Sequence, residues 1–302
     1  MESSLLGELA ALSASVCFTI GPTLFTLAGR RVGGLTVNRL RLLLGALYLS
    51  VFHWLYFGTP FPQMDTQPLL YFVASGIVGL SLGDAFMMQA FVCLGPRVTL
   101  LILNLSPALA TLAAWVWLAE YLRFTQLAAI AVVLIGVSWV VLERGDVQEN
   151  GLRERRYPLR GIFYALTAAI VGTASTLLAK QGLRAGISPI SGATVRLVAG
   201  MAVTWTWALT RGHAETTLRA FRAHPRAFGY TALAVLIGPV LGMVLMLSAL
   251  QIIPVGITTT LTSLPPVLLI PVERWVFKEK ITPRAIVGTA LATAGVVWLL
   301  IQ

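Results

Sequence analysis

Two stretches of the chain repeat the same apolar pattern, and this duplication constrains the fold more than any other feature. Residues 94–142 and 252–301 each carry a proline before a long apolar segment and a further proline within it. A glutamate follows in each copy (Glu120 and Glu279), then a short polar turn and a last apolar segment ending in Gly-Val-x-Trp. In so apolar a chain, such a repeat is typical of membrane transporters, in which two copies move against each other around a central site.

The composition excludes a water-soluble domain. Apolar residues make up 57% of the chain and charged residues only 11%, with a mean hydropathy of +0.83, whereas soluble domains have about 25% charged residues. The net charge of +10 lies in short connections between apolar segments, as in membrane proteins with a defined topology. We therefore predict an integral membrane protein of many spans and no nucleic-acid partner.

Apolar windows of about 20 residues, the length that crosses the hydrocarbon core, predict ten transmembrane helices. They cover residues 5–28, 36–57, 69–93, 97–118, 124–142, 160–182, 189–209, 228–250, 254–277 and 283–301. The polar segment 143–159 is predicted to link a first five-helix repeat, 1–142, to a second, 160–302. Because five is odd, the second copy starts on the opposite side of the membrane. The predicted fold class is thus all-α integral membrane, with ten helices as two inverted five-helix repeats.

Shorter motifs extend the repeat. Residues 41–45 (RLLLG) match 196–200 (RLVAG), Gly79-x3-Gly83 matches Gly238-x3-Gly242, and 11–14 match 165–168. In this alignment Asp84 corresponds to Met243 and Asn104 to Thr262.

The basic residues predict the orientation. Of the 22 Lys and Arg residues, 18 lie in or beside connections on one side, and four (Arg123, Lys180, Arg184 and Arg196) lie on the other. Cytoplasmic connections carry the excess of basic residues. We therefore predict a multi-pass protein of the plasma (inner) membrane with both termini outside the cytoplasm.

The paired segments Pro107 to Gly136 and Pro265 to Gly295, together with Arg41 and Arg196, resemble the drug/metabolite transporter superfamily, and within it the ten-helix EamA-type transporters. The resemblance covers about 10–142 and 160–301. It implies an inverted-repeat carrier, often an exporter of amino acids or other metabolites, with a central cavity near the membrane midplane. It also implies termini in the cytoplasm, opposite to the orientation that the charges predict.

Charged side chains at membrane depth are costly and usually face protein or a water-filled cavity. Asp84 is the only acid deep within an apolar segment. It is a candidate to bind a coupling proton or a substrate ammonium, or to form a structural pair with a basic residue such as Lys180. Arg41 and Arg196, at equivalent positions, could attract a carboxylate or phosphate, or else extend to the interface or cap helix ends. Lys180 has the same alternatives.

Polar uncharged residues near the prolines form a second candidate set, because a proline frees a backbone carbonyl and bends a membrane helix. These substrate-binding candidates are Gln89, Asn104, Gln251, Thr258 and Thr262, although threonines often bond to their own helix. Glu120 and Glu279 flank short connections and are predicted to be structural caps or local ion pairs.

No spacing typical of a metal site or of a GxxxxGK[ST] phosphate loop occurs in the chain. We therefore predict no enzymatic activity, catalytic residue, metal or cofactor. The predicted function is secondary transport of a small metabolite, first an amino acid, by alternating access and in the export direction. The expected partners are that substrate, the lipid bilayer and a coupling proton or counter-substrate. An organic-anion or sugar-phosphate exchanger and a lipid flippase are the alternatives.

Overall fold

The computed structural model describes residues 2–148, 159–272 and 283–301, and these ranges are helical without a β-strand. Its α-helices are α1 (Glu2–Val32), α2 (Gly34–Phe57), α3 (Thr66–Gly76), α4 (Asp84–Leu103), α5 (Ser106–Leu118), α6 (Phe124–Gln148), α7 (Leu159–Leu183), α8 (Pro189–Thr210), α9 (His213–Ala223), α10 (Pro225–Val235), α11 (Met243–Ile252), α12 (Val255–Thr262), α13 (Pro265–Val272) and α14 (Pro283–Leu300). Two π-helical segments, π1 (Ile77–Gly83) and π2 (Leu236–Gly242), join α3 to α4 and α10 to α11.

Five helical segments are long and apolar enough to cross a membrane. They are Ser4–Gly29, Gly34–Phe57, Thr66–Ala90, Leu159–Leu183 and Pro225–Ile252. Four shorter apolar segments accompany them: Ser106–Leu118, Phe124–Trp139, Val255–Leu268 and Ile286–Leu300. The chain is therefore an all-helical, multi-pass membrane protein.

The helix boundaries correct the sequence windows in two places. The predicted connection between 93 and 97 is wrong, because α4 continues to Leu103 and the chain breaks at Asn104 and Leu105. Pro107 stands in the first turn of α5, where its missing N–H leaves no intrahelical bond unmade. In addition, the connection 210–227 contains a helix of its own, α9, which buries Thr217 and Phe221.

The two π-helical segments lie at equivalent positions of the two copies. Each has seven residues, and each ends at a glycine, Gly83 or Gly242, followed by Asp84 or Met243. This confirms the alignment of the two Gly-x3-Gly motifs. The same offset pairs the break at Asn104 with that at Ser263. The alignment of Asn104 with Thr262 is thus wrong by one residue, because Thr262 is still the last residue of α12.

Close contacts between the copies are reciprocal. Gly136 of α6 packs against Ala292 of α14, while Gly295 of α14 packs against Val133 of α6. Since Gly295 and Ala292 are the repeat counterparts of Gly136 and Val133, each contact appears twice with the roles exchanged. Reciprocal contacts of this kind are the property of a two-fold interface.

The contacts of the other helices are reciprocal in the same way. α1 packs along α10 and α11, while its counterpart α7 packs along α3 and α4. α2 and α8, which carry Arg41 and Arg196, meet each other between these pairs. The core therefore lies between the two copies rather than within either one, and the two π-helical segments flank the central helices α2 and α8.

Candidate functional site

A partly buried ion pair lies next to π1. Asp84 is the first residue of α4, and its carboxylate accepts a hydrogen bond from Nη2 of Arg41 on α2. The two side chains are only 15% and 19% exposed. The Arg41 guanidinium also lies over the ring of Phe25 on α1, 6.0 Å from its centroid. Asp84 is thus held by a partner from its own copy of the repeat, and this partner is Arg41 rather than Lys180.

Arg196 of α8 is the second guanidinium of this region, and it is 95% buried, with a relative exposure of 5%. Its Nη2 donates to Oγ of Ser175 at 3.3 Å, whereas its Nε and Nη1 have no hydrogen-bond partner. Its Nη2 also lies 4.0 Å from the place that a Cβ at Gly79 would occupy, in the π1 segment that ends next to Asp84. Arg41, Asp84 and Arg196, here called the charged triad, therefore combine two positive charges with one negative charge at the interface of the two copies.

Glycines allow the end of α3 and the start of π1 to approach α8 and α7 this closely. A side chain at Gly76 would overlap the backbone of Arg196, and one at Gly79 would overlap the side chain of Ser175. Small residues at such positions let membrane helices approach each other. Both arginines therefore donate to side chains within the bundle, Arg41 to Asp84 and Arg196 to Ser175.

A pair of serines fixes the helices beside the triad. Ser75 of α3 donates to the carbonyl oxygen of Ser175 at 2.6 Å, and Ser175 of α7 donates to that of Ser75 at 2.7 Å. Both residues are buried. The same Ser175 hydroxyl accepts from Arg196, so the orientation of this arginine depends on the contact between α3 and α7. The sequence analysis missed both serines, because neither belongs to a motif.

A second charged cluster caps the break between α11 and α12. Nζ of Lys180 donates to the carbonyl oxygens of Leu250 and, at 2.9 Å, of Ile253, and it lies 3.4 Å from Oε1 of Glu120. Oε2 of Glu120 accepts the backbone N–H of Val255 at 2.8 Å. A cation thus meets the last carbonyls of one helix and an anion the first N–H of the next, as the helix dipole favours.

This arrangement gives Glu120 both predicted roles, a helix cap and an ion pair. It gives Lys180 three partners within the protein, which are different from those of the charged triad. Glu279, the repeat counterpart of Glu120, lies outside the described residues.

The polar candidates near the prolines are not brought together with the triad by any recorded contact. Nδ2 of Asn104 donates to Oγ of Ser138 at 3.1 Å, which ties the break before α5 to α6. The hydroxyls of Thr258 and Thr262 donate to backbone oxygens four residues earlier, those of Pro254 and Thr258. The hydroxyl groups of these two threonines therefore bond to the backbone of their own helix, which is the alternative to substrate binding.

The two glutamines are exposed in the structure. Nε2 of Gln251 donates to the carbonyl oxygen of Ile187 at 3.3 Å, across the connection before α8. Gln89 lies on an exposed face of α4. Within the described ranges, no group of three or more His, Cys, Asp or Glu residues is placed to hold a metal ion.

Two surface grooves lie away from the triad. One, of about 300 Å³, is lined by α9 and the start of α10, including Phe221 and Phe228. The other, of about 360 Å³, lies at the start of α7 beside Phe163 and Tyr164.

Comparison with known proteins gives a family and a fold. The family model described as the EamA-like transporter family matches the chain twice, over residues 5–142 and 159–301. One solved crystal structure superposes with a TM-score of 0.75 over 99% of this chain and 98% of its own, at 16% sequence identity. At that identity the likeness shows the fold alone. No curated protein matches the sequence.

Proposed function

Because the chain belongs to the EamA-like transporter family, we propose that it is a secondary transporter that moves a small metabolite across the membrane by alternating access. An amino acid or a related compound, carried outward across the plasma (inner) membrane, is the first class of substrate to test. A transmembrane gradient, of protons or of a counter-substrate, drives the flux.

Alternating access requires two copies in opposite orientations, and the contacts of α6 with α14 support such an arrangement. Gly136 also approaches Gly288. The counterpart of Gly136 is Gly295, which lies seven residues after Gly288 in α14. Seven residues span about 10 Å of helix. In two parallel helices related by a dyad, these residues would lie at different heights. The contact thus favours antiparallel helices, as two inverted copies require.

The observation that carries the proposal is the charged triad at the interface of the two copies. Arg41 and Asp84 come from the first copy and Arg196 from the second. A movement of one copy against the other changes the environment of all three side chains. A polar substrate bound there is therefore coupled directly to the movement that carries it across the membrane.

The excess of positive charge in the triad favours a second candidate function, the transport or exchange of an organic anion. Two guanidinium groups and one carboxylate leave one positive charge for a ligand to neutralise. A phosphate or carboxylate group matches the planar donor geometry of an arginine.

The experiment is uptake of labelled compounds into proteoliposomes of the purified protein, with one panel of amino acids, one of organic acids and one of fluorescent lipids. Saturable flux of an amino acid or organic acid, reduced in Asp84→Asn, supports the proposal. The matched control is Glu215→Gln, which removes an acid that is exposed on α9 and paired with Arg219. Movement of lipids alone would support the flippase alternative and overturn the proposal.

A further inference from the structure

Arg196 is a deeply buried cation whose hydrogen-bonding capacity is largely unused. We propose that Arg196 binds the anionic group of the transported compound, and that this compound carries a net negative charge. This inference rests on the proposed function and deepens it, since it names the class of substrate that the charged triad selects.

The hydrogen-bond donors of Arg196 support the first part of the proposal. Its guanidinium is 95% buried, yet Nε and Nη1 have no partner and only Nη2 bonds to Ser175. A buried N–H without an acceptor is unfavourable, and buried polar groups in proteins are almost always satisfied. A carboxylate or phosphate accepts from two N–H groups of one guanidinium at the same time. It thus supplies the missing acceptors and the missing charge together.

The orientation of Arg196 is fixed before a ligand arrives. Ser175 accepts its Nη2–H while donating to the carbonyl of Ser75, and the backbone of Arg196 rests against Gly76. Little rotamer freedom remains to be lost on binding, so the free donors form a preorganised site.

The charges of the triad support the second part. Asp84 is already paired with Arg41, so it does not present a free carboxylate to a substrate ammonium. The triad has a net charge of +1, and an unpaired charge in a buried site is costly. A bound monoanion brings the site to neutrality. A zwitterionic amino acid leaves the excess charge in place and brings its ammonium close to two guanidinium groups.

The repeat explains why Arg196, unlike its counterpart Arg41, has no ion-pair partner among the described residues. Arg41 and Arg196 occupy equivalent positions, but Asp84 has Met243 as its counterpart, so one carboxylate serves two arginines. The single acid therefore distinguishes the two halves. It neutralises the arginine of the first copy and leaves that of the second copy for the ligand.

The test uses compounds that share a carbon skeleton and differ in charge. Propionate, alanine and propionamide form one set, and 3-phenylpropionate, phenylalanine and 3-phenylpropionamide form another. The thermal unfolding midpoint of the full-length protein in lipid nanodiscs is measured against the concentration of each compound, because a ligand of the folded state raises it. We expect stabilisation by the two carboxylic acids, and binding about ten- to a hundredfold weaker in Arg196→Gln, which removes a charge-assisted hydrogen bond. Arg196→Lys, which keeps the charge but not the planar donors, is expected to bind with intermediate strength.

The control is Arg219→Gln, since Arg219 is exposed on α9 and pairs with Glu215; this variant should bind as the unchanged protein does. Equal binding of the zwitterions and the carboxylates, or binding unaffected by both Arg196 substitutions, overturns the inference, as does the absence of binding by every compound. Labelled uptake into proteoliposomes separates the two claims. Carboxylates that bind through Arg196 but are not carried leave the anion site at Arg196 standing and overturn the proposed function. Saturable uptake of zwitterions alone supports the proposed function and overturns the inference that the substrate is an anion.

Discussion

Asp84 and Arg41 form an ion pair that joins the first residue of α4 to a residue about two turns into α2. The pair has no counterpart in the second copy, where Met243 replaces the acid. A fold built from two equivalent halves thus holds a charge arrangement that is not equivalent. This asymmetry distinguishes the two central arginines, and it makes Asp84 the first residue to substitute.

Asp84→Asn should destabilise the protein and reduce its transport. The substitution removes the negative charge that pairs with Arg41. Leaving such buried donors without a charged acceptor costs about 1–3 kcal/mol, which lowers the midpoint of thermal unfolding in nanodiscs. The control is Asp65→Asn, since Asp65 is exposed before α3 and its side chain makes no cap hydrogen bond. An Asp84→Asn protein with the midpoint and flux of the control would contradict the structural role given to the ion pair.

Lys180 and Glu120 should act as a coupled unit at the break between α11 and α12. Glu120→Ala removes the acceptor of the Val255 N–H, and the loss of a helix cap costs about 0.5–2 kcal/mol. Lys180→Met removes the donor to the carbonyls of Leu250 and Ile253.

The measurement is a double-mutant cycle on thermal unfolding midpoints of the four proteins. Residues of one ion pair usually show a coupling of about 0.5–3 kcal/mol, so the double substitution should cost less than the sum of the single ones. Strict additivity would mean that the pair seen at 3.4 Å contributes nothing to the folded state.

Features that depend on local spacing could be predicted from the sequence. The long apolar segments predicted helices, and the Gly-x3-Gly motifs predicted the register at Gly83 and Gly242. The prolines predicted interrupted helices, and the breaks before Pro107 and Pro265 follow from their missing N–H groups.

Features that depend on which helices meet could not be predicted. One of the two alternatives for Asp84 is a pair with a basic residue such as Lys180, and the residue that pairs with it is Arg41, 43 positions earlier in the chain. When most faces of a helix are hydrophobic, its sequence does not show which face packs against protein and which faces lipid. The neighbours of each side chain therefore cannot be predicted. For the same reason Ser75 and Ser175 were not recognised as a pair, although the sequence places both among small residues.

The basic residues predict that both ends of this chain lie outside the cytoplasm. Of the four basic residues on the poorly charged side, Lys180 and Arg196 are buried in the bundle, and Arg39 is buried on the other side. Buried residues are not part of the connections and are left out of the charge count. The excess of basic residues on one side of the membrane remains without them. A C-terminal alkaline phosphatase fusion expressed in bacteria should be active and a fluorescent-protein fusion dark. The opposite result would mean that the chain has the topology implied by the family resemblance.

The glycines of π1 and π2 provide the sharpest test of the packing, because the two segments are equivalent while their neighbours differ. An added methyl group at Gly79 overlaps the side chain of Ser175, whereas at Gly238 its nearest neighbour is the Cα of Gly21 at 3.7 Å, an ordinary contact. Overpacking of this kind costs about 1–3 kcal/mol. Gly79→Ala should therefore lower the thermal unfolding midpoint clearly, and Gly238→Ala should leave it nearly unchanged.

The two substitutions have the same chemistry and occupy the same place in the repeat, so they control for each other. Adding Ser175→Gly to Gly79→Ala should restore part of the loss. Position 175 then carries a glycine, as position 21 does at the equivalent contact with Gly238. That double variant also removes the acceptor of Arg196, so its stability should recover while its binding of carboxylates does not. If instead both alanine substitutions lowered the midpoint equally, the close approach of α7 to π1 would not be the cause. The glycines would then be needed for the π-helical backbone itself.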